Sequence, residues 1–241
     1  MVGSVKPAVI LFFLVLAMLV LIAVFFIAYS SSDESEETLA NPVPILVIDP
    51  GHGGADGGAV SVTGSCESKI NLSIALKMSA LAGLTATPHV MTRESEDIDY
   101  PPEATTISKM KVFDQKRRVE FIGGISNAVL LSVHQNNYPS TQPRGPQAFY
   151  GKNVDSTELA SMVQEALNSA LYPGNRRVAS PISGDIYLFK SISCPAVLAE
   201  CGFLSNPEEA ALLEEQEYQL KVALALMGAY YSYLSGSVQF S

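Results

Sequence analysis

Three short runs in the chain, PILVID (44–49), NAVLLSVH (127–134) and AVLAEC (196–201), are apolar almost throughout instead of alternating apolar with polar residues. A strand that shows one face to water alternates, because successive side chains point to opposite faces. A continuous apolar run is the pattern of a strand covered on both sides, which requires helices on each face of the sheet. The intervening segments supply them. Residues 67–84 place Ile70, Ile74, Leu76, Met78 and Leu81 at roughly helical spacing, and 113–125 and 155–172 also read as helices, the latter capped by Asp155 or Ser156. Asn206-Pro207 opens another, with proline in its first turn, and a last helix spans 216–234, ending before Ser235-Gly236. HVMT (89–92), AFYG (148–151) and IYLF (186–189) are further strand candidates. Residues 94–112 have no period and contain a Pro-Pro pair, so they read as an exposed loop, as do 138–147. Strands alternating with helices imply an α/β fold: a single three-layer domain with a mostly parallel twisted sheet flanked by helices.

A different kind of segment precedes this domain. Residues 8–29 carry no charge, and as a helix they would reach roughly 33 Å, enough to cross a hydrocarbon core of roughly 30 Å. Lys6 stands before the run, and Asp33, Glu34, Glu36 and Glu37 follow it. The positive-inside rule then keeps the amino terminus in the cytoplasm and exports everything after Tyr29. A cleaved signal peptide, with Ala28 and Ser30 at the cleavage site, is the competing reading, but signal h-regions run only about 7–15 residues. The expected organisation is an N-terminal transmembrane helix as anchor or uncleaved signal in 1–29, an acidic linker in 30–42, a folded domain in 43–235 and a tail in 236–241. Beyond the anchor, 14 basic residues face 24 acidic ones, a balance of −10 that leaves no basic footprint for nucleic acid. Cys66, Cys194 and Cys201 are too few for a disulfide scaffold; they read as buried free thiols, with a Cys194–Cys201 pair outside the cell as the alternative.

Chemistry-bearing residues collect where strands end. His52 follows PILVID, His134 follows VLLSV, and Glu200 closes PAVLAE; Glu67 opens the first helix of the domain. Open α/β sheets place their ligand crevice at these carboxyl ends. The loop VIDPGHGGADGG (47–58) invites a phosphate reading, but Asp56 stands where a dinucleotide fingerprint needs its third glycine, and no G-K-[ST] follows. A metal site suits the residue types better: zinc takes imidazole and carboxylate ligands, and catalytic sites use three of them plus water. His52, Glu67 and His134 would supply two imidazoles and a carboxylate. The alternative for each histidine is an ordinary hydrogen-bonded residue at a strand end. Glu200 would be the general base, or else the partner of a basic residue such as Arg177. Asp49 and Asp56 are expected to hold the loop or orient His52 rather than bind metal. His89 matches no ligand pattern.

Read together, the motifs DPGHGGxDGGA, E-x-x-x-N-L (Glu67 to Leu72), MTRES, SVHQN and PAVLAECGFLSNPEE occur in the order found in the zinc-dependent N-acetylmuramoyl-L-alanine amidases of type 3, which the chain resembles over about residues 45–234. The resemblance implies Zn²⁺ held by His52, Glu67 and His134, with Glu200 as catalytic base and Asn136 and Arg177 as orienting or substrate-binding residues. It implies peptidoglycan as substrate, cut between the lactyl group of N-acetylmuramic acid and L-alanine. The N-terminal anchor, the lack of wall-binding repeats, and TRES followed by a polar loop and QKRRVEFI are most similar to germination-specific, spore-cortex members. That points to the forespore intermembrane space or the cortex, to muramic δ-lactam as the eventual product, and to a possible accessory protein. A vegetative autolysin of the same chemistry and a non-catalytic membrane-tethered wall-binding module are the alternatives. Asn136 to Ala148 is too short to hold the autoinhibitory helix that some members insert there. Cys201 should pack behind the site, on the strand face opposite Glu200.

Overall fold

The computed structural model describes residue 16 and residues 18–22, 43–184 and 186–237 of the 241-residue chain. The chain divides into two compact units, Met1–Pro42 and Val43–Ser241. In the first, the described residues are helical. Among the described residues no helix is long and apolar enough to cross a membrane; most of the 8–29 run and the whole acidic linker lie outside them.

The second unit is an α/β domain with a six-stranded, mostly parallel sheet. Its elements are β1 (Ile45–Pro50), α1 (Glu67–Leu84), β2 (His89–Met91), α2 (Ile107–Gly123), β3 (Ala128–Asn136), β4 (Gln147–Tyr150), α3 (Asp155–Leu171), β5 (Ser180–Pro181), α4 (Tyr187–Ser191), β6 (Ala196–Phe203), α5 (Pro207–Glu214) and α6 (Gln216–Ser237). The strand order is β2-β1-β3-β6-β4-β5. The first four of these run parallel, and β4 crosses to antiparallel against β6 with β5 beside it.

Strand alternation divides the core in two. Leu46, Ile48, Val129, Leu131, Val133, Val197, Ala199 and Cys201 face α1, α3 and α6 in one layer. Val47, Leu130, Ala196 and Leu198 face Ile122 of α2 and Leu188 and Phe189 of α4 in the other. Both faces are therefore covered, which is why the central strands read as unbroken apolar runs. The order reverses after β2, so β1 and β3 flank the switch point, and the crevice above their carboxyl ends is where this topology holds a ligand.

Several sequence expectations are corrected here. IYLF is the start of helix α4, not a strand; a four-residue apolar run is too short for its period to show, and the helical turn buries Leu188 and Phe189 against the sheet. α2 begins at Ile107, well inside the expected 94–112 loop, because the Thr106 side chain accepts Lys109 N–H and caps it. Neither Asp155 nor Ser156 caps α3. Asn153 Oδ1 accepts the Asp155 N–H instead, and the buried Ser156 hydroxyl accepts from Ala196 N at 3.0 Å. α6 continues through Ser235-Gly236 to Ser237, so two residues of the expected tail are helical. Asn206 caps α5 as expected, accepting from Glu208 N and Glu209 N. All three cysteines are free, but only Cys201 is fully buried; Cys66 and Cys194 are half-buried.

Candidate metal centre and active site

The loop leaving β1 brings His52 back over the sheet. His52 itself has φ 62°, a left-handed conformation, and Gly51 must be glycine because a Cβ there would overlap the His134 ring. At Gly58 a Cβ would lie 2.6 Å from Glu67 Oε2 and 2.8 Å from His52 Cδ2. The glycines therefore make room for His52, Glu67 and His134 to converge. Ligand atoms of these three residues lie within 4.8 Å of one another. His52 and His134 meet edge to face with ring centroids 5.0 Å apart.

Glu67 is the first residue of α1 and 4% exposed. Its Oε1 lies 2.9 Å from His134 Nδ1 and accepts Gln135 N–H at 3.1 Å, while Oε2 accepts Ala59 N–H and lies 3.3 Å from His52 Nε2. Burial opposes its ionisation, but the two imidazoles outweigh it and hold the carboxyl far below the usual range. Burial alone would lower the His52 pKa, yet hydrogen bonds to Asp56 and Glu67 raise it to about 9. Two imidazoles drawn to one buried carboxylate form a donor set for a divalent cation.

Glu200 stands opposite His134 in the β3–β6 register. Its Oε2 is buried and has no hydrogen-bond partner among the described residues. Burial raises its pKa to about 7, with His134 and His52 pulling down and Glu67 pushing up. A buried carboxylate left without a partner is a candidate for proton transfer. The Arg177 alternative is not realised: that guanidinium donates to the carbonyl of Gly145 and lies 5.3 Å from the Phe203 ring centroid. Asn136 closes β3, its main-chain carbonyl accepting from Leu204 N at 2.8 Å. Cys201 sits on the opposite strand face in the core, its thiol pushed up by burial.

Asp49 holds the loop from below. It is 1% exposed, accepts from Ser132 Oγ and Thr92 Oγ1 at 2.6 Å each, and pairs with the buried Arg118 of α2. Burial disfavours its charge, but Arg118 and the two hydroxyls keep its pKa at about 2. Arg118 also donates to the Pro50 and His52 carbonyls, at 2.9 and 2.7 Å. Arg93 donates to the Pro50, Gly51 and His52 carbonyls at 3.1, 3.1 and 2.7 Å. Two buried arginines thus grip three successive carbonyls on which His52 rides. Sequence reasoning named neither, although both lie inside motifs it used, TRES and QKRRVEFI. Asn71 and Gln135 were missed too; they bond each other at 3.1 Å behind Glu67. His89 is structural, between Ser79 Oγ and Thr87 O.

Residues 46–229 match the family model described as N-acetylmuramoyl-L-alanine amidase. The chain belongs to that family. It is a hydrolase, an N-acetylmuramoyl-L-alanine amidase. It is 36% identical over 214 residues to a germination-specific N-acetylmuramoyl-L-alanine amidase of Bacillus subtilis (strain 168), covering 88% of this chain and 89% of that one. Among solved structures it is similar to the CwlD amidase from Clostridioides difficile, in complex with the GerS lipoprotein, at 36% identity with a TM-score of 0.75 over 80% of this chain and 98% of that one. An N-acetylmuramoyl-L-alanine amidase from Clostridium difficile 630 is 28% identical with a TM-score of 0.69, over 80% and 97%.

Proposed function

We propose that His52, Glu67 and His134 hold a zinc ion and that Glu200 is the catalytic base and acid of a peptidoglycan amidase. The observation that carries this reading is the unpartnered, buried Glu200 Oε2 beside three converging ligand residues. When bound, zinc supplies Lewis acidity, polarising the scissile carbonyl and lowering the pKa of water to about 7. Glu200, with its own pKa of about 7, accepts the proton of the attacking water at its carboxylate and passes it to the departing L-alanine amine. Asp56 Oδ2 accepts a hydrogen bond from His52 Nδ1–H at 2.9 Å, a tautomer that leaves Nε2 free to act as ligand. Asp49, through Arg118, holds the backbone carrying His52. Arg177 and Asn136 are assigned to orienting the ligands or the substrate, not to moving the proton.

The substrate is the amide between the lactyl group of N-acetylmuramic acid and L-alanine, in the spore cortex, where peptide-free muramic acid then becomes δ-lactam. Similarity to a germination-specific amidase supports the cortex role. The uncharged 8–29 run supports a membrane anchor with the domain outside the cytoplasm, in the forespore intermembrane space or cortex. The CwlD structure in complex with a lipoprotein supports an accessory protein as partner. Purified cortex peptidoglycan digested with the protein and labelled at new amino termini tests the reaction. Labelled L-alanine without new reducing sugar ends is the expected result; a different new terminus, or reducing ends, overturns it.

A further inference from the structure

We propose that Lys111 is a positioning residue for the metal centre, fixing His52 through Asp56 as part of a clasp formed by the segment that leads from β2 into α2. This rests on His52 being a zinc ligand. The turn after His52 is poorly anchored by itself. His52, Gly53 and Gly54 all have positive φ, the turn closes on the mutual Gly53–Asp56 bridge, and Gly54 and Ala55 are exposed. Its outer side is held, among the described residues, from the 94–111 segment. Glu96 O accepts Gly54 N–H at 2.8 Å, Tyr100 OH accepts Ala55 N–H at 3.2 Å, and Tyr100 packs edge-on against Phe113 of α2.

Lys111 completes the clasp. Its Nζ lies 2.9 Å from Asp56 Oδ1, while Asp56 Oδ2 holds His52 Nδ1 at 2.9 Å and Gly58 N–H also reaches Oδ1 at 3.2 Å. Asp56 is thus bonded on both oxygens from three directions, so the half-exposed lysine helps fix the carboxylate that aims the imidazole. A carboxylate that orients a ligating histidine tunes metal affinity, and what orients that carboxylate acts one step further out.

The test uses the full chain in mild detergent and measures zinc affinity by competition with a chromogenic chelator. Asp56→Asn should weaken zinc binding about 10–100-fold. Lys111→Met should weaken it about three- to tenfold, Lys111→Arg should restore most of that, and Lys116→Met, an exposed lysine of the same helix, should change nothing. In the Asp56→Asn background, Lys111→Met should have no further effect, because the lysine acts through that carboxylate. Wild-type affinity in Lys111→Met, or a full additional loss in the double variant, overturns the proposal. So does a raised KM with zinc affinity intact, which would make Lys111 a substrate contact. Failure of the wild type to bind zinc would instead overturn the metal reading beneath it.

Discussion

Replacing Arg118 with methionine removes the cation from the most enclosed charge pair among the described residues. Arg118 and Asp49 are 2% and 1% exposed, and the same guanidinium donates to Asp114 Oδ2 at 2.8 Å and to two carbonyls of the His52 loop. Methionine keeps much of the volume, so packing loss is small. What remains is Asp49, charged and buried, with only the Thr92 and Ser132 hydroxyls to satisfy it. Breaking a buried pair by removing one partner costs about 3–5 kcal/mol. For a domain of about 200 residues, where 1 kcal/mol shifts the midpoint by about 2–4 °C, the metal-free protein should melt about 6–20 °C lower. Arg93 still holds the three carbonyls, so the loop loses one of its two grips, and zinc affinity should fall as well. Thermal melting by circular dichroism on residues 43–241, with and without chelator, reads both effects. A midpoint within about 3 °C of wild type would refute the reasoning, since a pair contributing under about 1 kcal/mol cannot be what anchors the loop.

Gly51→Ala drives a methyl group into the His134 ring and should cut zinc affinity and peptide release at least about tenfold while the fold persists, as chelator competition and circular dichroism will show. Acid stability should carry the Asp49 signature. Its folded pKa, about 2, lies below the ordinary 3.8, so the folded state binds fewer protons; the stabilisation is full above pH 5 and fades as pH falls through 3.8 towards 2. Urea unfolding of the metal-free domain should lose about 1 kcal/mol more between pH 5 and pH 3 than Asp49→Asn does; equal losses would contradict this. Chelating the metal should stop peptide release and lower the melting temperature, by about 2.7 kcal/mol of stability if zinc stood at 100 times its Kd, with both restored on adding zinc back.

The residues that meet at the centre were legible in the sequence because each sits at a punctuation mark of the fold. His52 lies just beyond β1, His134 and Glu200 lie near the ends of β3 and β6, and Glu67 starts a helix, so chain topology alone brings them to the carboxyl ends of the central strands. The supporting arginines were not legible. Arg93 and Arg118 look like ordinary surface charges until the turn of α2 and the end of β2 aim both at the same carbonyls, a long-range arrangement with no local period. IYLF failed for the opposite reason: four apolar residues fit a strand or a helical turn equally well, and the space beneath them on the sheet decided. β4 was legible as a strand but not in its antiparallel direction, and the two-residue β5 is too short to leave any signal.

Glu200 is the group that moves the proton in the proposed reaction. Wild-type protein and Glu200→Ala should be compared for bound zinc and for stem peptides released from purified peptidoglycan, the muropeptides resolved by mass spectrometry. Equal zinc in both, with free stem peptides from the wild type alone, is the predicted result. Peptide release by Glu200→Ala at the wild-type rate would contradict it.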